Sequence, residues 1–206
     1  MSSGVTTPRG FRAAGVRAGI KASGDLDLAL VASETVATAA AVFTLNKAQA
    51  APVIVSREHL HRSGGRARAI VVNSGCANAC TGSQGVQAAR AMAAETARLV
   101  QCPVEQVLVA STGVIGVALP IDTICDGLPA AFRSLGADQG SAAARAIMTT
   151  DPFSKEASTE ITIGGQSVRI GGMAKGAGMI DPMMATMLAF VTTDAAMAPA
   201  RAAADP

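Results

Sequence analysis

Chemistry in this chain has to be done without the usual side-chain bases. The 206 residues include two histidines, His59 and His61, both in the polar segment SREHLHRSGGR. With Arg57, Glu58 and Arg62 beside them, they read as a solvated helix end. A Ser–His or Cys–His nucleophile pair is therefore not what the sequence offers. The alternative is a hydroxyl activated by its own α-amine, which requires the residue to become N-terminal. Such an amine titrates near ~7.7–8.0, close to what a general base needs at neutral pH. Thr186 is the candidate, because the stretch Gly171–Asp194, GGMAKGAGMIDPMMATMLAFVTTD, could hold one hydroxyl still. Its glycines permit close approach and positive φ, and Pro182 discourages helix at Asp181. From Thr186 onward, MLAFVTT has the composition of a buried strand. A cut between Ala185 and Thr186 would free the amine. The plainer reading of Thr186, from composition alone, is a β-branched residue opening a strand.

Two other stretches could serve such a nucleophile. VASTGVIG (Val109–Gly116) ends a strand in a small-polar turn. Its amides, or the Thr112 hydroxyl, could face a developing oxyanion, and donors of this kind contribute ~2.7–4 kcal/mol to acyl-transfer transition states. Read from spacing alone, the same residues are an ordinary turn. Lys175, alone among glycines, suits a carboxylate or carbonyl. It belongs to no phosphate loop, since G-x-x-x-x-G-K-[ST] is absent, and Gly176-Ala177-Gly178 fails the dinucleotide pattern.

These segments resemble the ornithine acetyltransferase (glutamate N-acetyltransferase) family. KGAGMIDPMMATMLAF is similar to its self-cleavage motif, and GVTTPRGFRAAGVRAGIK, AAVFTLNKAQAAPV, NSGCANACTG, VASTGVIG and AIMTTDPFSKEA follow in family order, from Gly4 to about Ala198. The resemblance implies self-cleavage at Ala185–Thr186 and Thr186 as the nucleophile. It implies an oxyanion pair at Thr112 and Gly113, and substrate binding by Lys175 and by Thr149 or Thr150. The implied reaction is ping-pong transfer of acetyl from N-acetylornithine to glutamate, in arginine biosynthesis, with no cofactor; some members also accept acetyl-CoA as substrate. Residues 1–185 would form the α chain and 186–206 the start of a β chain, assembled as an α2β2 heterotetramer. The chain departs from the family at Met183, where asparagine is usual, and at Cys76, where asparagine is frequent. Family proteins are about twice as long, and their second half contributes a substrate-binding glutamate with no counterpart here. Two alternatives follow: a non-catalytic scaffold or binding module, and an aminopeptidase-like hydrolase of the same architecture. Asn73, Ser74 and Asn78 lie in a family segment, but a loop-structuring role suits them equally.

The elements that must position these residues are legible in outline. Half the chain is apolar, with 2% aromatics and no Trp or Tyr, so the core is aliphatic. The net charge of +2 is small and its basic residues are scattered, which argues against nucleic acid. The sequence shows no run of transmembrane length and no signal-peptide core, so the expected location is the cytoplasm and no membrane partner is expected. Cys76, Cys80, Cys102 and Cys125 lack metal-ligand spacing, so reduced and mostly buried thiols are expected, with no metal.

Strands are predicted at Gly24–Ser33 and Ala39–Leu45, paired as a hairpin, at Ala67–Gly75 and Gln106–Ser111, and in a hairpin turning at Gly164-Gly165. Helices are predicted from Pro52, over Gln84–Gln101 with Val86, Ala89, Ala93, Ala97 and Val100 as its apolar stripe, over Pro120–Leu135 with an interruption at Pro129, and over Ser141–Met148. The fold class expected is α/β, and the family sharpens it to a layered sandwich of two central mixed or antiparallel sheets flanked by helices.

Overall fold

The computed structural model describes residues 4–178 and 187–198. Its elements, in chain order, are β1 (Phe11–Val16), β2 (Leu28–Thr38), α1 (Ala51–Arg62), β3 (Arg66–Cys76), α2 (Gly82–Val100), β4 (Val107–Val114), α3 (Ile121–Arg133), α4 (Gly140–Ala146), β5 (Lys155–Ile163), β6 (Gln166–Lys175) and β7 (Leu188–Thr193). Short 3-10 turns occupy Gly4–Thr6 and Val104–Gln106.

Two sheets result. The first has order β1-β2-β3-β4, antiparallel except for the parallel β3/β4 pair, and the second is the antiparallel β5-β6-β7. Alternation along the strands of the first sheet gives each face its own core. On one face Leu28, Leu30, Val71, Val107 and Val109 meet Val55, Ala89, Met92, Ala93, Ile124 and Leu128 from α1, α2 and α3. On the other, Ala13, Ala29, Val31 and Val72 meet Ala143, Ala144 and Ile147 around α4 and Met173 from β6. The α/β layered sandwich expected from the sequence is therefore present, with one mixed and one antiparallel sheet.

The N-terminal turn fastens the two sheets together. Thr192 Oγ1 of β7 donates to Val5 O at 2.8 Å, and Val5 is fully buried. The backbone of Gly4 lies so close to β6 that a Cβ at Gly171 would stand 1.9 Å from Gly4 O. Only glycine can occupy that position. The glycines at 171 and 172 therefore belong to strand β6, and Lys175 is its last residue rather than part of a loop.

Several local expectations need correction. The predicted hairpin of Gly24–Ser33 with Ala39–Leu45 does not form. Strand β2 runs on through Glu34 and Thr35 and pairs with β1 and β3, passing an irregularity between Ala32 and Ala37. Residues 39–46 hold no regular element, and Val42 and Leu45 are exposed. β2's two neighbours already satisfy its backbone, so no partner remains for them.

Helix α3 continues through Pro129 instead of breaking there, at the loss of one intrahelical hydrogen bond. Of the cysteines, only Cys76 is buried; Cys80 is exposed, Cys102 and Cys125 are half-buried, and all are free thiols. Burial pushes the Cys102 and Cys125 thiols up from their ordinary value.

His59 is not part of a solvated helix end. It is buried in α1 with Nδ1 2.8 Å from Val107 O, while His61 is exposed as expected. Nearby, Ser56 Oγ donates to Val109 O at 2.7 Å and accepts from Val109 N at 2.8 Å. Among the described residues β4 is an edge strand of its sheet, and these α1 side chains occupy part of its free backbone.

Candidate active site

Parallel strands in open α/β sheets present their C-terminal ends to ligands. In this fold those ends belong to β3 and β4. Ser74 pairs with Thr112 and Gly75 with Gly113 in the ladder, which then shifts register at Cys76. The two glycines are in backbone contact: a Cβ at Gly113 would lie 2.3 Å from Gly75 C, and both residues have φ in the positive range, +105° at Gly75 and +135° at Gly113. Such conformations favour glycine and are costly for other residues. The pair fixes the path of the turn that follows Thr112.

The loop beyond β3 is held by its own side chains. Asn73 Nδ2 donates to Cys76 O at 2.9 Å, and Asn73 Oδ1 accepts from Ser111 Oγ at 2.6 Å. Ser74 Oγ donates to Ala146 O, and Asn78 Nδ2 to Gly85 O. All three residues are fully buried. The contacts of Asn73, Ser74 and Asn78 fit the loop-structuring role.

Across the gap between the sheets, Lys175 reaches Thr112. Its Nζ donates to Thr112 Oγ1 at 3.0 Å and to Thr149 Oγ1 at 2.7 Å. Lys175 is buried, and burial pulls its pKa below the ordinary value of 10.5; Asp151 opposes that shift and Lys155 adds to it. With the lysine donating to both hydroxyls, each keeps its own proton to offer elsewhere. The arrangement can therefore present a hydroxyl donor, backed by a positive charge, to an oxygen that becomes negative.

Thr149, and not its neighbour, meets the lysine; Thr150 is exposed. Gly113 stands beside Thr112 at the end of β4. Ala185 and Thr186 lie outside the described residues. So does residue 186 as the start of the last strand, whose described span begins at Leu188. Register pairs Leu188 with Lys175.

Sequence reasoning missed Asp151, which holds this cluster in place. Its carboxylate accepts from Lys155 Nζ at 2.5 Å, from Gly176 N at 2.8 Å and from Thr149 N at 3.4 Å. Burial pushes the carboxyl up, but the Lys155 hydrogen bond, the two amides and the Lys155 charge together hold it at about 2. One side chain thus ties the chain just after Lys175 to the chain at Thr149. The sequence signal was the acidic residue closing MTTD before Pro152, a turn-forming Asp-Pro.

Asp27 was also missed. It is fully buried and accepts from the amides of Ala18, Gly19, Ile20 and Lys21, at 2.6 to 3.1 Å.

Among the described residues no group of His, Cys, Asp and Glu side chains is placed to hold a metal ion. No described helix is long and apolar enough to cross a membrane. A cavity lined by Arg12, Glu34, Arg68 and Arg133 lies toward the N-terminal end of β3, at the far end from Thr112.

Comparison with known proteins gives this geometry its context. The ArgJ family's sequence profile matches residues 12–204. The arginine biosynthesis bifunctional protein ArgJ of Synechococcus sp. is 52% identical over 199 residues, covering 97% of this chain and 48% of that protein. The same-named protein of Thermosynechococcus vestitus is 53% identical over 199 residues, 97% of this chain and 47% of that one. The chain thus spans about half the length of these relatives.

Among solved structures, the arginine biosynthesis bifunctional protein ArgJ of Bacillus halodurans superposes with TM-score 0.82 at 41% identity, over 88% of this chain and 94% of that chain. An ornithine acetyltransferase of Mycobacterium tuberculosis, crystallised with ornithine, gives TM-score 0.78 at 43% identity, over 89% and 96%. An L-aminopeptidase D-Ala-esterase/amidase of Ochrobactrum anthropi, described as a variant of the Ntn-hydrolase fold, gives TM-score 0.50 at 14% identity, over 84% and 52%, a likeness of fold alone.

Proposed function

The chain belongs to the ArgJ family, and we propose that it carries the acyl-transfer machinery of an acetyltransferase that moves acetyl from N-acetylornithine to glutamate. The observation that carries this reading is the buried Lys175 ammonium shared between the Thr112 and Thr149 hydroxyls, beside Gly113 at the end of β4. A site built to stabilise an oxyanion has this composition. The ornithine bound to the Mycobacterium relative supports the substrate class.

Thr186 is the nucleophile in this proposal. Lys175 lies opposite Leu188, and Thr186 precedes Leu188 by two positions in the sequence. In sequence the proposed nucleophile is therefore two positions from the residue that pairs with Lys175. In the maturation step Thr186 Oγ attacks the Ala185 carbonyl and the acyl group passes from nitrogen to oxygen. Water then hydrolyses the ester, leaving a carboxylate on Ala185 and a free α-amine on Thr186.

In turnover that amine takes the hydroxyl proton as Oγ attacks the acetyl carbonyl of N-acetylornithine. The tetrahedral oxyanion faces the Thr112 hydroxyl and the Gly113 amide. Collapse breaks the amide C–N bond, and the proton goes to ornithine as it leaves. The glutamate amine then attacks the acetyl-Thr186 ester, restoring the hydroxyl. Residues 1–185 form the α chain on this reading, and 186–206 open a β chain that assembles with it as α2β2. Acetyl-CoA is a second acetyl donor to be assayed, and no cofactor is required.

The test joins denaturing mass spectrometry to an acetyl-transfer assay on wild type and Thr186→Ala. Wild type is expected to split before Thr186, to carry acetyl on the Thr186 peptide after incubation with N-acetylornithine, and to acetylate glutamate; Thr186→Ala is expected to do none of these. An intact wild-type chain, with activity equal to that of the variant, would overturn the reading.

A further inference from the structure

Lys21 is a second ammonium at the same end of the first sheet, with no part in the chemistry above. It sits in the loop between β1 and β2, and that loop is unusually well fixed. The Asp27 carboxylate receives the amides of residues 18–21, and Asp27 O receives the Ser74 amide at 2.8 Å. The loop is thereby stitched to β3 at Ser74, just before Gly75. A Cβ at Gly75 would lie 3.0 Å from Ile20 Cγ2 and 3.3 Å from Lys21 Cγ, so the lysine's stem runs across Gly75. Gly75 in turn is the backbone partner of Gly113.

Lys21 is half-buried, and among the described residues its Nζ makes one hydrogen bond, to Leu26 O at 2.8 Å. An ammonium has three donors. Burial lowers its pKa, Asp27 and Asp25 oppose that, and the charge of Lys175 adds to the lowering. Lys21 thus lies against Gly75, which the ladder pairs with Gly113 next to Thr112, where Lys175 donates. An ammonium there suits a ligand that brings negative charge to this end of the sheet.

We propose that Lys21 is a specificity-determining residue that receives a substrate carboxylate beside the Thr112–Lys175 cluster, selecting amino acids with a free carboxylate over their esters or amides. The inference rests on the acetyl-transfer reading and deepens it. Lys175 already donates to two hydroxyls, whereas among the described residues Lys21 Nζ donates once and its stem lies against Gly75. Each substrate in the proposed reaction is an amino acid, and a carboxylate is what acyl donor and acceptor have in common.

The experiment measures KM and kcat for wild type and Lys21→Gln, with N-acetylornithine and its methyl ester as donors. Loss of a charge-assisted contact should raise KM for the acid roughly ten- to hundred-fold. The KM for the ester should change less than about two-fold, with kcat nearly constant for both, since uniform binding is what is lost. Lys21→Arg, which keeps the charge, should retain the preference for the acid; it also serves as the readout if Lys21→Gln does not fold.

Equal losses on acid and ester would reveal a merely structural lysine and overturn the inference. So would unchanged kinetics of Lys21→Gln in an active enzyme, or an Arg variant without the preference, and in these cases acetyl transfer itself would stand. A wild type that transfers no acetyl would overturn the reading of function and this inference together.

Discussion

Replacing Asp151 by Asn removes one charge while leaving the shape of the side chain. The Asp151 side chain is 1% exposed but its partner Lys155 is 35% exposed, so solvent screens that pair in part and the stabilisation worked from its pKa is an upper bound. Its carboxyl is held at about 2, against an ordinary 3.8. Each tenfold change in proton affinity is worth about 1.4 kcal/mol, so the charged form contributes on the order of 2 kcal/mol to folding near neutral pH. The sign follows from a depressed acid. The folded state binds the proton less tightly than the unfolded chain, so the contribution is fully present above the unfolded pKa. It drains away as pH falls from about 4 toward 2.

Urea unfolding of wild type and Asp151→Asn, followed at several values between pH 7 and pH 2, reads this directly. The wild type should be more stable by up to about 2 kcal/mol at pH 7, and the gap should close toward zero near pH 2. Taking the difference cancels other carboxyls lowered in the fold, such as Glu160 and Asp194. A gap that stayed constant across that range would mean the cost lies in lost shape rather than lost charge, and the reasoning would be refuted. Asp151→Ala also removes the acceptor for the Gly176 amide. It should misplace Lys175 and lower kcat by about a hundred-fold, where Asn, which retains an acceptor oxygen, lowers it far less.

Two more outcomes follow from the same contacts. Lys175→Met should abolish acetyl transfer, and it should flatten the pH dependence of stability on the alkaline side. A lysine whose folded pKa is lowered leaves the unfolded chain binding more protons, so wild-type stability rises with pH in the window below 10.5; melting temperatures between pH 8 and pH 10 check this. His59→Ala should cost about 2–3 kcal/mol through a lost buried side chain and an unpaired Val107 carbonyl. Activity per folded molecule should not change, as measured by denaturant titration beside the transfer assay.

What the sequence made legible was what neighbours in the chain decide. The stripe Ala89, Ala93, Ala97, Val100 announced α2, Pro52 marked the first turn of α1, and Gly164-Gly165 marked the turn between β5 and β6. Family motifs singled out Thr112, Lys175 and Thr149, and in the structure these three side chains meet.

The misses share a cause, which is distance along the chain. Strand β1 is hidden by Arg12 and Gly15, and only its pairing with β2 makes it a strand. The burial of His59 is set by the carbonyl of Val107, far away in sequence. Gly171 looked like loop because nothing local discloses that Gly4 will press against it. Asp27 falls inside the strand predicted at Gly24–Ser33 and Asp151 inside a family segment, and their role appears only when the amides they collect are brought together in space.

Thr112 belongs to one sheet and Lys175 to the other, with the Gly4–Thr6 turn clamped between the layers. If the proposed chemistry holds, reactivity is a property of the joint and not of either half. Alterations remote from any reacting atom, at Val5 or Met173 for instance, will be felt as lost turnover while each layer still folds soundly. Directed evolution that hardens one slab in isolation gains robustness without gaining rate. Selection for activity will instead accumulate paired changes along the seam.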